Sequence, residues 1–82
     1  MEPLRTSGRF PAIYRIVLSG RLDESWSGRL GEMVFAVLES PGGAQTVLEG
    51  PIRDRAELNG ILTSLFGLQL TLLRVEAVEE EQ

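Results

Sequence analysis

Residues 50–78 read GPIRDRAELNGILTSLFGLQLTLLRVEAV: a strand end, a capped amphipathic helix and a second strand in succession. Asp54 stands where a helix N-cap accepts hydrogen bonds from the unpaired N–H groups of the first turn. Glu57, three residues on, is placed to reach back to the Asp54 N–H as in a capping box. Both carboxylates lie at the positive end of the helix dipole. Leu58, Ile61, Leu62 and Leu65 follow at the i, i+3, i+4, i+7 spacing of one helix face, with Asn59, Thr63 and Ser64 on the other. The pattern predicts a helix over 54–66, closed by Gly67 as the left-handed residue that commonly ends a helix. Gly60 is discordant, because glycine costs about 1 kcal/mol relative to alanine in a helix interior. A close approach to a strand is the expected reason, with a binding role for the bare backbone as the alternative.

Working outward, AIYRIVLSG (12–20) alternates, with Tyr14, Ile16 and Leu18 on one side and Ile13, Arg15, Val17 and Ser19 on the other. It reads as the first strand. EMVFAVLES (32–40) and AQTVLEG (44–50) read as the next two, joined into a hairpin by Ser40-Pro41-Gly42-Gly43. Gln69 to Val78 is the fourth. The connection RLDESWSGRLG (21–31) offers Asp23 or Ser25 as a cap, but Gly28 and Gly31 limit any helix to a turn or two. The order is therefore βαββαβ, ferredoxin-like with a degenerate first helix, or βββαβ. Both are α+β: a sheet of about four strands with one main helix on one face. Residues 1–11, with Pro3, Gly8 and Pro11, read as a flexible arm, 12–78 as a single domain and 79–82, EEEQ, as an acidic tail.

Composition narrows the function classes. At 82 residues the chain buries only about 60 to 65% of its unfolded surface, so a monomer is marginally stable. The eight basic residues, all arginine, against twelve carboxylates give net charge −4, which disfavours a nucleic-acid binder needing a concentrated positive face. Cysteine is absent, excluding disulfides, thiolate metal sites and cysteine nucleophiles. Histidine is absent too, removing the side chain that most often transfers protons near neutral pH. No apolar run approaches the ~18 residues of a membrane span, and the N-terminus lacks a signal-peptide core. A cytoplasmic location is the resulting expectation.

A single helix covers one sheet face, yet the second strand is apolar on both sides: Met33, Phe35 and Val37 against Val34, Ala36 and Leu38. Strict alternation gives the fourth strand the same property, Leu70 and Leu72 against Leu73, Val75 and Ala77. Exposed apolar patches of more than a few hundred Å² are unusual on soluble monomers. The expected cover is a second copy packed face to face about a two-fold axis, giving a homodimer or higher homo-oligomer, with an unidentified protein partner as another occupant. Alternatively residues 21–31, with Trp26 and Leu30, fold over the second face within the monomer.

The candidate interface or ligand residues are thus Trp26, Asp23, Arg21, Met33, Phe35, Val37, Leu70 and Leu72. Trp26, in a polar glycine-rich connection, reads as a plug over the sheet edge or an interface anchor. Asp23, Glu24 and Glu32 near Arg21 and Arg29 read as solvated ion pairs; no second ligand type such as histidine sharpens a metal site. Gly42-Gly43 lacks the following helix of a phosphate loop. Ser25, Ser27, Ser64 and Tyr14 have no histidine or lysine to activate them. No cofactor is expected. The reading is a non-enzymatic, self-associating interaction module, with a small-ligand sensor using a pocket near 21–31 as the alternative. An enzyme would need Asp23 or Glu32 held in an apolar cleft with a raised pKa.

Gly20-Arg21-Leu22-Asp23 with Trp26-Ser27, then Leu48-x-Gly50-Pro51, Asp54-x-Ala56-x-Leu58-x-Gly60 and Leu68-x-Leu70-x-Leu72-Leu73-x-Val75, resembles a group of short bacterial proteins of unassigned function. The resemblance spans residues 13–76. Members often carry histidine beside the helix glycine, where this chain has Asn59, and glutamine after the capping aspartate, where it has Arg55. Any chemistry resting on that histidine would be missing here. The resemblance implies a shared fold and adds no activity.

Overall fold

Branched and aromatic residues in alternation produce the central strand, β1 (Ala12–Ser19), in a computed structural model that describes residues 10–78. A single 3-10 turn at Glu24–Trp26 follows, then β2 (Val34–Ser40), β3 (Gly43–Ile52), α1 (Arg55–Phe66) and β4 (Thr71–Ala77). Between β1 and β2 the chain therefore makes one helical turn and no more, with Gly28 and Gly31 both at positive φ just after it. The expected flexible arm and acidic tail fall outside the described residues except for Phe10 and Pro11; Phe10 stacks on Tyr14 at 5.3 Å between ring centroids.

The sheet order is β2-β3-β1-β4, and every neighbouring pair is antiparallel. β1 and β2 thus run in the same direction with β3 between them, and β3 and β4 do so with β1 between them. β2 and β4 are the two edges.

One face of this sheet carries the core. Tyr14, Ile16 and Leu18 of β1 and Leu48 and Ile52 of β3 pack against Leu58, Ile61, Leu62 and Leu65, the apolar stripe of α1. The helix starts as its sequence predicts, with Asp54 Oδ1 accepting the Glu57 N–H at 2.9 Å. The reciprocal half differs: Glu57 Oε1 accepts the N–H of Arg53 at 2.8 Å, one residue upstream of the expected Asp54, and the Arg53 Nε–H at 3.3 Å. The Arg53 N–H and its guanidinium together offer the carboxylate a better pair of donors than Asp54 alone. Gly67 is also not left-handed. It sits at φ −75°, ψ −6°, and the helix closes through the Leu68 N–H donated to Leu65 O at 3.0 Å.

Gly60 is exposed, and a Cβ built there would meet nothing within 4 Å beyond the backbone of its own helix. The expected close approach to a strand is not present, so no packing compensates for the helix cost of glycine. Gly60→Ala is accordingly expected to raise stability by roughly 0.5–1 kcal/mol, read as a shift of the urea midpoint at unchanged slope.

β4 departs from strict alternation. Its register against β1 shifts between Val17 and Leu18, which pair with Arg74 and Leu72 and leave Leu73 as the extra residue of a bulge. A bulge reverses the parity of everything beyond it. Val75 and Ala77, expected opposite Leu72, therefore lie on the core face with it, and Arg74 and Glu76 take the other side.

Candidate functional site

The connection between β1 and β2 has no hydrophobic period, yet Leu22, Leu30 and Met33 are 3%, 1% and 4% exposed. They join the same core cluster as the α1 leucines. The connection therefore lies beside the helix, on the same sheet face. It does not cover the second face, as one expectation had it, because Leu22 and Leu30 are buried in the core on the helix side.

Two features of β3 set its position. Thr46, fully buried, donates its hydroxyl proton to Gly20 O at 2.7 Å and accepts the Leu22 N–H at 3.0 Å. One side chain thereby satisfies both polar groups of the chain as it leaves β1. Gly50 lies directly beneath the far end of the connection: a Cβ there would stand 2.6 Å from Met33 Cα and 2.9 Å from Glu32 O. Only a bare backbone permits this approach.

So held, the connection and β2 bound a half-open cleft of about 710 Å³. Its apolar walls are Leu22, Met33, Phe35 and Val37, and Arg21, Asp23, Glu24 and Glu32 supply its polar rim. Val34, the first residue of β2 and on the opposite sheet face, also lines it. A smaller cleft of about 380 Å³ places Trp26 with Leu68 and Leu70, sharing Arg21 and Asp23 with the first.

The sequence-selected residues thus divide. Arg21, Asp23, Met33, Phe35 and Val37 meet around the larger cleft, and Trp26 and Leu70 around the smaller. Leu72 packs against the core opposite Leu18. Trp26 is half-buried against the core with the Arg29 guanidinium 4.9 Å over its ring. Arg21 is ion-paired with Glu39 of β2. Sequence reading missed Thr46, since a threonine inside a strand pattern reads simply as a branched strand former. It also gave no structural role to Gly50, whose only signal was its place in the Leu48-x-Gly50-Pro51 motif.

The carboxylates do not form an acid–base site. Asp23 and Glu32 are both exposed, and hydrogen bonds from the Ser25 side chain and N–H hold the Asp23 carboxyl below its usual range. Neither carboxylate is buried in the apolar cleft that an acid–base role for Asp23 or Glu32 would need. Among the described residues no three acidic side chains gather as metal ligands do. Nor is any helix among them long and apolar enough to cross a membrane.

Glu57 links the cap to the connection, its Oε2 lying where a Cβ on Gly31 would meet it at 3.2 Å. Hydrogen bonds from the Arg53 N–H and then its side chain hold Glu57 below its ordinary value of 4.5. Because the folded-state value is the depressed one, this contribution is complete above the unfolded value and disappears as pH falls through the folded one. Acid titration of stability should show a loss beginning below about pH 4.5, and Glu57→Gln should make that loss shallower.

Among the described residues no helix or connection packs on the second sheet face. Across it run the rows Val34–Glu49–Arg15–Glu76 and Ala36–Val47–Val17–Arg74. Arg15 bridges Glu49 at 3.2 Å and Glu76 at 3.4 Å, so the charges at its centre are paired within the chain. Val17 beneath them is only 5% exposed. The exposed large apolar residues of the sheet lie instead at its edges, Val34 (71% exposed) and Leu38 (54%) together on β2 and Leu73 (48%) singly at the β4 bulge, with Phe66 (61%) at the end of α1.

Comparison with known families matches residues 13–76 to a domain of unknown function (DUF8691), which is most of the described chain. No curated protein and no solved structure matches it. The chain belongs to the DUF8691 family.

Proposed function

We propose that this DUF8691 member is a self-associating protein-interaction module whose working surface is the open side of its sheet at β2. The observation that carries the reading is the stacking of α1 and the β1–β2 connection on one face, which leaves Val34 and Leu38 uncovered on the other. A second copy placed about a two-fold axis buries each patch against its equivalent. Light scattering from low to high micromolar concentration tests it: the mass should rise to at least twice the 9.0 kDa of the chain. A strict monomer at high micromolar concentration contradicts it.

The larger cleft supports a second reading, a small-ligand sensor. Its volume of about 710 Å³ lies in the range of small-molecule sites, roughly 300–1,000 Å³. It combines apolar walls with Arg21 and Asp23, which also border the cleft holding Trp26. Trp26 emission should respond to a bound metabolite; an unchanged spectrum across a broad metabolite panel counts against this reading.

A further inference from the structure

The two edges of the sheet are built differently. β4 carries the devices that discourage strand addition: a bulge at Leu73 and the charged Arg74 and Glu76. β2 carries none of them from Val34 to Leu38. Its register with β3 is unbroken over seven residue pairs, it holds no proline or lysine, and its first charge is Glu39 near the far end, already paired with Arg21. Among the described residues, alternate N–H and C=O groups along its outer side have no strand beside them.

We infer that two copies of this chain join through β2, antiparallel and with the two-fold axis at Ala36, so that the two four-stranded sheets become one. This rests on the proposed self-association and specifies its geometry. The register follows from the side chains. With Ala36 on the axis, Val34 lies opposite Leu38 of the second copy on the open face, and Phe35 lies opposite Val37 on the core face. Both large residues left exposed on β2 thereby acquire apolar cross-strand partners. Moving the axis by one position to Val37 would set Phe35 against Glu39 and Val34 against Ser40. The segment 34–38 is uncharged in a chain of net charge −4, so two copies meet here without like charges facing each other.

The absence of native cysteine makes crosslinking a clean test. Directly opposed residues of an antiparallel pair have Cα atoms about 4.5–5.5 Å apart, within disulfide reach. Under mild oxidation Ala36→Cys should form a covalent dimer, on the order of tenfold faster than Val47→Cys at the middle of the open face. A mixture of Val34→Cys and Leu38→Cys chains should give the mixed dimer in preference to either homodimer. Positions 34, 36 and 38 are exposed, and circular dichroism matching the parent chain establishes that each variant is folded. Val47→Cys linking as fast as Ala36→Cys would overturn edge pairing in favour of face-to-face packing while self-association stands. No crosslink in any variant, with light scattering showing a dimer, likewise overturns the edge geometry alone. No crosslink together with a strict monomer overturns both proposals.

Discussion

Gly50→Ala should destabilise the domain by about 1–3 kcal/mol, although it adds a single methyl group. The added Cβ would sit 2.6 Å from Met33 Cα and 2.9 Å from Glu32 O. These are backbone atoms, so no rotamer change relieves the overlap. Either β3 moves, against its pairing with β1 on one side and β2 on the other, or the connection lifts away from the sheet. The second is less costly, because among the described residues the polar links from the connection to the sheet are the Thr46 clamp and the Arg21–Glu39 pair, whereas β3 is held by ladders on both sides. The expected readout is a melting temperature lowered by roughly 5–20 °C, with a shift in Trp26 emission as the connection loosens. A variant as stable as the parent would mean that the connection does not lie on Gly50.

Thr46→Val should cost about 1–3 kcal/mol, despite preserving shape and strand propensity. The hydroxyl serves Gly20 O and the Leu22 N–H at once, and Leu22 is buried. Valine leaves the buried Leu22 N–H unpaired and removes the donor to the half-buried Gly20 O, so the desolvation penalty is not offset at Leu22. Thr46→Ser keeps the oxygen and should lose less, mainly through the missing methyl. Urea unfolding of the two variants separates these terms: equal losses would show that packing, and not the paired hydrogen bonds, fixes the start of the connection.

These two positions also mark where sequence reading stops. The scaffold was legible because its signals are local and periodic. Asp54 and the Leu58, Ile61, Leu62, Leu65 spacing define a helix without reference to anything else, and the alternation of Tyr14, Ile16 and Leu18 defines β1. The bulge at Leu73 was not legible, since an inserted residue leaves no mark in a run such as Leu70-Thr71-Leu72-Leu73-Arg74-Val75. Missing it made the open face read as more apolar than it is, with Val75 and Ala77 in place of Arg74 and Glu76. The side on which the connection packs was hidden for a different reason. Leu22, Leu30 and Met33 are spaced irregularly, and their common burial follows from tertiary contacts with Leu48 and the helix. Gly60 failed in the opposite sense, a conspicuous residue with nothing packed upon it.

The candidate site was legible in part. Of the residues selected from the sequence, Arg21, Asp23, Met33, Phe35 and Val37 lie around one cleft beside the 21–31 connection. The last three were selected as possible interface residues on the strength of alternation, yet alternation cannot say which side of β2 the helix takes. The structure puts them on the core side and leaves Val34, Ala36 and Leu38 outward. That placement, combined with the charge pairing around Arg15, moves the surface of interest from the middle of the sheet to its edge.

Hydrogen–deuterium exchange of β2 amides as a function of protein concentration tests the account most directly. If β2 is where copies meet, exchange across Val34–Ser40 should slow as concentration rises through the association range, while the amides of α1 stay unchanged apart from global stabilisation. Exchange in β2 that is independent of concentration, in a sample shown by light scattering to span that range, would contradict it.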